Sequence, residues 1–419
     1  MGAGLIIIRS LSGADYYDAV SDGGCDNTGE SDCVSDILAA VTAYKAAGKD
    51  GLYFPAGEYL LSSALTVPDG TTLVGSGMTT AWLQGQVWFG SASDFTDLKI
   101  GPESAGLAGL KNTDGSDGSS FTRCHFRGGG AESDNDNSST VNLGDGYDLS
   151  NLTFTDCEFE RSLGTLWSGS ADNTHRENTV TLYAMSNTID TVTFEGCDIG
   201  VSNGVASGNQ RMGVETWTYD NVSRWWKNIT FKNCHVRPSN ITGLDFACYN
   251  NSTQGDGVLV EGCTIHGSGV DPKGTAWGQG ITLEWPKNVT IKDNTFYCCT
   301  EGAIYPDYSN RPNFSAESNL VVTGNTFDFD TSEGGIGADG STGMCVTHGA
   351  NGTITGNTFI WHGETNIFGC VWFAGEDATG NTCTGNTFNV SATQTICRNT
   401  GDAADNGEPW TATNTVNRS

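Results

Sequence analysis

The hexapeptide VTGNTF occupies residues 322–327, and a nearly identical hexapeptide, ITGNTF, occupies residues 354–359. More divergent copies of this hexapeptide precede and follow these two. They read FTRCHF at 121, FTDCEF at 154, FEGCDI at 194, FKNCHV at 231, VEGCTI at 260, IKDNTF at 291 and CTGNTF at 383. Nine copies at a similar spacing form an internal repeat, and this repeat decides the fold.

The fourth position of the hexapeptide takes only two residue types. It is cysteine in the first five copies and asparagine in the last four, at intervals of 33, 40, 37, 29, 31, 31, 32 and 29 residues. The copies alternate apolar residues, favour β-branched ones and lack helical heptads, so each indicates a β-strand. Because a unit of this kind buries its apolar face only against its neighbours, we predict an all-β solenoid. The fourth position should then form a buried column: Cys124, Cys157, Cys197, Cys234, Cys263, Asn294, Asn325, Asn357 and Asn386.

Composition limits the partners of this chain. The 419 residues include 57 glycines, and 49 acidic residues against 20 basic ones give a net charge of −29. Such a charge repels nucleic acid and anionic lipid, and the basic residues form no cluster, so we expect no nucleic-acid partner. An acidic, lysine-poor surface is also typical of proteins kept soluble in concentrated salt.

The sequence has no run of 18 apolar residues, so we expect no membrane insertion. The opening MGAGLIIIRS lacks the basic region, long apolar core and cleavage site of a signal peptide. We therefore expect either a leader already removed or release without one, as for a virion component freed by lysis. The expected location is extracellular or on a virion surface.

The first 50 residues differ from the repeats. The stretch DCVSDILAAVTAYKAAGK (32–49) predicts a helix with Asp32 as its N-cap and Gly48 near its end. The apolar face of this helix comprises Val34, Ile37, Leu38, Val41 and Tyr44. A stack of strands exposes unpaired backbone groups at its ends, so we interpret the helix as a cap.

The order of these elements resembles a known superfamily. The helical stretch is followed by GLYFPAGEYLL (51–61), GTTLVGSGM (70–78) and then the ITGNTF-type repeats. This order is similar to that of the pectate-lyase-like proteins, which include polysaccharide lyases, glycoside hydrolases and viral tailspikes. The resemblance implies a right-handed parallel β-helix over residues 51–400, preceded by an N-terminal segment with a capping helix (1–50) and followed by a C-terminal tail (401–419).

A glycine aligns a second strand in the later coils: Gly213, Gly243, Gly280, Gly302, Gly343 and Gly369. Residues one and three after the glycine are mostly apolar and should face the core, so residues two and four face outward. Glu215 and Asp245 then lie side by side on adjacent coils about 4.8 Å apart, with Glu284 one coil further and one outward position along. Glycoside hydrolysis needs two carboxyl groups, so these three residues are the catalytic candidates. The alternative is a solvated acidic strand face.

Tryptophans are concentrated near these carboxylates. A flat indole stacks on the C–H face of a sugar ring, and nearby polar groups bind its hydroxyls. The substrate-binding candidates are Trp217, Trp225, Trp226, Trp277 and Trp285. The alternative for each is packing beneath a loop or in a subunit contact.

Cysteines and acidic loops suggest little metal chemistry. The column cysteines are interpreted as buried thiols, and Cys25 with Cys33 is the best candidate for a disulfide. No Cys or His spacing suggests zinc, so no cofactor is expected. Calcium is the one alternative, through the acidic loops that contain Asp134, Asp136 and Asp145, Asp148.

Three functions remain open. Members of the superfamily that hydrolyse pectin carry an adjacent Asp pair, Gly-His-Gly and Arg-x-Lys, and classical pectate lyases carry Arg-x-Pro-x-x-Arg; none of these occurs here. We therefore expect a glycan-recognising viral spike, a homotrimer that binds a host polysaccharide or glycoprotein glycan. A secreted glycoside hydrolase or polysaccharide lyase is the first alternative, and a purely structural β-helix of a virion or envelope is the second.

Overall fold

The fold was analysed on a computed structural model. It describes residues 15–104, 106–129, 139–163, 178–184, 187–201, 212–218, 225–239, 241–248, 255–267, 279–297, 299, 302–306, 319–329, 345–347, 352–361, 370–373, 382–390, 397–399 and 413–418. One helix, Val34–Ala46, and three long sheets account for the regular structure of these residues. Every strand pairing among them is parallel, so the chain is an all-β parallel β-helix, as the sequence predicts.

Between Gly51 and Asn399, each coil contributes one strand to each sheet, in the chain order A, B, C. The strands of sheet A are Tyr16–Asp18, Gly51–Phe54, Thr72–Gly75, Asp94–Thr96, Ser120–Thr122, Leu149–Thr155, Ile189–Glu195, Trp226–Lys232, Asp256–Glu261, Lys287–Lys292, Leu320–Thr323, Thr353–Thr355 and Thr382–Thr384, with Ser116–Asp117 pairing beside Leu149–Thr155. Those of sheet B are Thr28–Asp32, Gly57–Leu60, Ala81–Gln84, Lys99–Ile100, His125–Phe126, Glu158–Glu160, Asp198–Val201, His235–Val236, Thr264–His266, Thr295–Tyr297, Thr326–Phe329, Thr358–Trp361, Thr387–Val390 and Thr415–Arg418. Those of sheet C are Leu65–Thr66, Val87–Phe89, Leu110–Asn112, Val141–Leu143, Val180–Ala184, Met212–Thr218, Thr242–Cys248, Gln279–Glu284, Gly302–Pro306, Cys345–Thr347, Val371–Phe373 and Cys397–Asn399.

The distances between stacked phenylalanine rings show the spacing of the coils. The ring centroids of Phe296 and Phe327 are 5.0 Å apart, those of Phe327 and Phe359 4.6 Å, and those of Phe359 and Phe388 4.8 Å, with planes within 7° of parallel. These distances match the spacing of hydrogen-bonded strands. Apolar residues at equivalent positions therefore form continuous columns inside the solenoid, where almost all are fully buried.

The hexapeptide forms the end of a sheet A strand and the turn into sheet B. Its third residue has a positive φ in every described copy, from 48° at Arg123 to 68° at Gly324. Glycine, asparagine and aspartate adopt this left-handed conformation most readily, and they fill eight of the nine copies. The turn geometry thus explains why the third position is restricted, and Arg123 is the one residue that adopts it against its preference.

The fourth residue points inward, and the predicted column is confirmed. All nine of its members are at most 2% exposed. In the asparagine half, each side chain bonds to the next coil: Asn325 Nδ2 donates to Asn357 Oδ1 (3.0 Å), and Asn325 Oδ1 accepts from the backbone N–H of Asn294 (2.9 Å). In the cysteine half the same contacts are longer, as between the backbone N–H of Cys234 and Cys263 Sγ (3.4 Å). The column therefore satisfies buried backbone groups at every turn.

The first residues of the sheet A strands carry a second, external ladder with a period of two coils. Asp117 accepts from Ser150 Oγ and Asn151 Nδ2 of the next coil, both at 2.7 Å. Two coils later, Asp190 accepts from Lys227 Nζ (2.8 Å) and Asn228 Nδ2 (2.9 Å).

The third unit repeats the arrangement. Asp256 accepts from Asn288 Nδ2 (2.6 Å) and lies 3.4 Å from Lys287 Nζ. The residue that follows the aspartate or its partner always has a positive φ: Gly118, Asn151, Thr191, Asn228, Gly257 and Asn288. We call this line of residues, at the side of sheet A where the chain arrives from sheet C, the C–A edge.

Hydrogen bonds across the C–A edge favour the ionised aspartates. Those from Ser150 and Asn151 lower the pKa of Asp117 below its ordinary value of 3.8. Partial burial opposes ionisation of Asp190, but bonds from Lys227 and Asn228 outweigh it and lower the pKa of that carboxyl too.

The helix caps the first coils as predicted. Its residues Ile37, Ala40, Val41 and Tyr44 are buried against the end of the core, and Val34 and Leu38 are half-buried beside them. Cys33 is the N-cap, although Asp32 Oδ1 still accepts from the backbone N–H of Val34 at 3.4 Å. The helix ends in a Schellman motif around Gly48, where the backbone N–H groups of Gly48 and Lys49 donate to Lys45 and Tyr44.

Parallel pairing extends beyond the expected limits of the β-helix at both ends. Strands Tyr16–Asp18 and Thr28–Asp32 pair with Gly51–Phe54 and Gly57–Leu60, so the N-terminal segment supplies strands as well as the helix. At the other end, Thr415–Arg418 pairs with Thr387–Val390.

Two sequence expectations are corrected. Cys25 and Cys33 are both buried free thiols, without the expected disulfide. The glycine that aligns sheet C shifts by one residue at Gly302, which pairs with Gln279 instead of Gly280. Tyr305, which the glycine alignment places in the core, consequently pairs with Thr282 on the outer face, and Ile304 pairs with Ile281 in the core.

Within the described part of the chain, no helix combines the length and the hydropathy that crossing a bilayer requires.

Candidate functional site

Sheet C brings two of the predicted carboxylates together. Strands Met212–Thr218 and Thr242–Cys248 pair so that Glu215 is the direct partner of Asp245, while Val214 and Leu244 enter the core. Both carboxylates therefore lie on the outer face of the sheet, as the register predicts. Their exposure differs from the solvated alternative, because Glu215 is only 2% exposed and Asp245 only 4%.

Neighbouring side chains fix the orientation of Glu215. Its Oε2 atom accepts hydrogen bonds from Asn178 Nδ2 (2.7 Å) and from the hydroxyl of Tyr183 (3.0 Å). Both groups belong to the preceding coil, where Tyr183 lies on strand Val180–Ala184 and Asn178 just before it. Two donors on one oxygen hold the carboxylate in a single position.

An aromatic pair borders the carboxylates. Trp217 is the register partner of Tyr183, and the two rings meet edge to face with centroids 6.1 Å apart. Trp217 is half-buried, so part of its indole is accessible.

Glu284 is less closely placed. It is half-buried and pairs with Ala247, whereas the partner of Asp245 on that strand is Thr282. It thus shares the outer face but stands apart from the Glu215–Asp245 pair.

The remaining tryptophans separate into different environments. Trp225 is half-buried at the start of a sheet A strand, with Lys227 Nζ 4.4 Å from its ring centroid. Trp226 is fully buried, and its indole fills the space that a side chain at Gly255 would occupy. Trp285 is 6% exposed and packs in the core, and Trp277 lies outside the described residues. Of the four tryptophans of this group that the structure describes, only Trp217 lies beside the carboxylates.

The outer face of sheet C continues toward the N-terminal coils. The column that contains Glu215 runs back through Thr181 and Asn142 to Lys111 and Trp88. Lys111 Nζ lies 3.2 Å from Asp145 Oδ2, and the Trp88 ring meets Tyr147 edge to face at 5.9 Å. This end of the face therefore also combines charge with aromatic surface.

Two residues of the acidic loops that offer the alternative of calcium binding have other contacts. Asp145 pairs with Lys111, and Asp148 Oδ1 accepts from the backbone N–H and hydroxyl of Thr188. Asp134 and Asp136 lie outside the described residues. Among the residues that are described, no three His, Cys, Asp or Glu side chains converge in a way that could hold a metal ion.

A family comparison agrees with this architecture. Residues 18–267, more than half of the chain, match the family model for rhamnogalacturonase A/epimerase, pectate lyase-like proteins. The chain belongs to this family. Residues 181–388 also match the model of a right-handed β-helix region, which confirms the fold that the repeats predict. A search of curated protein sequences found no match.

Solved structures share the fold of this rhamnogalacturonase A/epimerase-type chain at low sequence identity. The A-module of the Azotobacter vinelandii mannuronan C-5 epimerase AlgE6 has 16% identity and a TM-score of 0.58 over 96% of this chain and 99% of its own. The Streptococcus pneumoniae surface protein and adhesin PfbA has 14% identity and a TM-score of 0.60 over 92% of this chain and 100% of its own. The Dettilon tailspike protein has 12% identity and a TM-score of 0.52 over 92% of this chain and 68% of its own.

Sequence reasoning missed Asn178 and Tyr183. The strand that carries Tyr183 has no glycine at its start, so the glycine marker did not include this coil in the alignment. The alternation in TVTLYA (179–184) contains the signal, because Val180, Leu182 and Ala184 are core residues and Tyr183 lies between the last two.

Proposed function

We propose that the outer face of sheet C recognises a glycan, and that this member of the family is a virion-surface spike that attaches to carbohydrate on its host. The observation that carries the proposal is the buried pair Glu215 and Asp245, bordered by Tyr183 and Trp217. Carboxylates bind sugar hydroxyls as acceptors, and aromatic rings pack against the apolar side of a sugar.

Burial of this pair is costly for the fold. Two adjacent carboxylates that are withdrawn from water repel one another and lose hydration, and neither effect stabilises the strand pairing. Groups that cost the fold stability in this way are found most often at functional sites. The two donors on Glu215 Oε2 support the same interpretation, because they fix the group in one orientation.

The spike is favoured over other glycan-binding proteins by its acidic chain and by the roles that two similar structures are named for. One is a surface adhesin and another a tailspike. As a spike, the protein is expected to form a homotrimer, which light scattering after size-exclusion chromatography would detect.

A secreted polysaccharide-cleaving enzyme is the second candidate, and the pairing of Glu215 with Asp245 favours it. Strand partners lie about 4.8 Å apart, close to the separation of about 5 Å between the two carboxyl groups of retaining glycosidases. In that case one carboxyl group would protonate the leaving oxygen while the other acts as nucleophile or base.

One experiment tests both candidates. The purified protein would be incubated with glycans from candidate hosts in low and in molar salt, with retention measured on the immobilised protein and chain length by mass spectrometry. A Glu215→Gln/Asp245→Asn variant would be compared with Glu195→Gln, which changes an exposed glutamate on sheet A. All three proteins should give the same circular dichroism spectrum.

The outcomes separate the candidates. Glycan retained intact by the unmodified protein and the Glu195 variant, but lost by the double variant, is the expected result for a spike. Shortened chains from the same two proteins would identify a hydrolase, and unsaturated ends a lyase. If the double variant retains glycan as well as the unmodified protein does, or if no glycan is retained or cut by any of the three, the proposed site on sheet C is wrong.

A further inference from the structure

The C–A edge presents asparagines in a regular arrangement. Asn151, Asn228 and Asn288 are all exposed, all have a φ of 51–55°, and all follow a residue that pairs with an aspartate of the previous coil. They occur on alternate coils, so successive asparagines are about 10 Å apart, twice the strand spacing. The intervening coils carry Thr191 and Gly257 at this position.

Each of these asparagines begins an Asn-x-Thr sequence: Asn-Leu-Thr at 151, Asn-Ile-Thr at 228 and Asn-Val-Thr at 288. Because the side chains of a strand alternate, the middle residue enters the core, where Leu152, Ile229 and Val289 are buried. The threonines two residues on, Thr153, Thr230 and Thr290, are partly exposed. The asparagine and the hydroxyl that the acceptor motif requires are thus both accessible.

The hydrogen bonds of the C–A edge use one N–H group of each asparagine amide and leave the other for a substituent. An asparagine amide has two N–H groups, and the ladder uses one of them to bond to Asp117, Asp190 or Asp256. A substituted amide keeps one N–H. The bond to the aspartate can therefore persist when the other hydrogen is replaced.

From these observations we infer that Asn151, Asn228 and Asn288 are N-glycosylation sites, which place covalent glycans on alternate coils along the C–A edge. The sugar donor is a polyprenyl-phosphate-linked oligosaccharide. The bond between the anomeric carbon and the phosphate oxygen breaks, a bond forms between that carbon and Nδ2, and one amide proton is released. This modification lies on sheet A, whereas the proposed glycan-binding face belongs to sheet C, and it does not depend on that proposal.

The placement of acceptor asparagines on every second coil gives each glycan enough space. Glycans on adjacent coils would be about 4.8 Å apart, closer than two sugar rings can lie side by side. Thr191 and Gly257 on the intervening coils carry no acceptor amide, so a spacing of two coils leaves each glycan its own space. Lys227 and Lys287 are paired with Asp190 and Asp256 within the ladder.

The test is site mapping on the full chain secreted from cells with an N-glycosylation pathway. Peptide-N-glycosidase treatment in ¹⁸O-water converts each modified asparagine to a mass-labelled aspartate, which peptide mass spectrometry locates. Label at Asn151, Asn228 and Asn288 is expected. The variants Thr153→Val, Thr230→Val and Thr290→Val should each abolish label at one site only, because valine keeps the β-branched shape without the hydroxyl.

A matched control is available on an intervening coil. Thr193 is the register partner of both Thr153 and Thr230, but the residue two before it is Thr191. Thr193→Val should leave the label unchanged. Label confined to acceptor sequences outside the C–A edge, label at fewer than three of its sites, or no label while a co-secreted reference glycoprotein is modified would each overturn the inference.

Discussion

Replacing Asn325 by alanine should reveal how much the internal ladder stabilises a coil. Asn325 is 1% exposed, and its amide bonds to both neighbouring coils. The change removes the acceptor of the Asn294 backbone N–H (2.9 Å) and the Nδ2 donor to the Ile291 carbonyl (2.9 Å). Asn357 Oδ1 keeps the backbone N–H of residue 325, and Asn294 Nδ2 keeps the Val260 carbonyl.

Two buried backbone groups therefore lose their partners. Each unsatisfied group costs about 1–3 kcal/mol, so we expect the free energy of unfolding to fall by about 4 kcal/mol. Asn325→Cys is the informative comparison, because Cys263 Sγ already accepts from a backbone N–H, and Cys234 Sγ donates to the Phe194 carbonyl, both at 3.4 Å. Those contacts are weak but present, so the cysteine variant should lose only about 1–2 kcal/mol.

The measurement is equilibrium unfolding in guanidinium chloride, followed by circular dichroism and by tryptophan fluorescence. Thr326→Ala, a neighbouring change on the outer face of sheet B, serves as the control and should shift stability by no more than about 0.5 kcal/mol. If the free energy of unfolding falls by less than about 1 kcal/mol in the alanine variant, or by as much in the cysteine variant as in the alanine variant, the ladder does not satisfy these backbone groups.

Three further results are expected. Asn178→Asp removes the Nδ2 donor to Glu215 Oε2 and adds a third carboxylate beside the Glu215–Asp245 pair, so the melting temperature of the variant should be lower than that of the unmodified protein at pH 7. Equal melting temperatures would contradict this. The folded-state pKa of Asp117 is below the ordinary value of 3.8, so its hydrogen bonds stabilise the fold fully at pH values above 3.8, and this stabilisation is lost as the pH falls through the folded-state pKa. Asp117→Asn should therefore flatten the dependence of the melting temperature on pH in that range. A hydrogen bond to the Cys197 thiol, together with burial, raises the pKa of Cys234 to about 12. Iodoacetamide at pH 8 should therefore modify Cys197 and Cys234 only after unfolding. Rapid labelling of the native protein would show instead that the column opens.

The solenoid could be predicted because its information is local and repeated. Each copy of the hexapeptide contains the same three features: a turn residue with a positive φ, an inward-facing amide or thiol, and a flanking apolar residue. The copies therefore support one another. The register of sheet C was predicted correctly as far as Glu284, and it failed where Gly302 took the place of Gln279. A marker residue can move by one position when the turn before it changes length.

The candidate site was only partly predictable. Alternation placed Glu215 and Asp245 on one face, but it does not indicate how deeply a side chain on that face is buried. The pattern also could not separate Trp217 from Trp226, because the interior position of Trp226 depends on the space left at Gly255, 29 residues later. Contacts between coils set these outcomes, and no short motif records them.

The internal ladder has a consequence for the size of the molecule. Every rung from Asn294 to Asn386 bonds in the same direction to the next, so removing or duplicating one whole unit would leave a continuous chain of amides. The length of the protein can therefore change in fixed increments of about 4.8 Å without redesign of its core. Gain or loss of whole repeats would thus set the distance between the two ends of the solenoid.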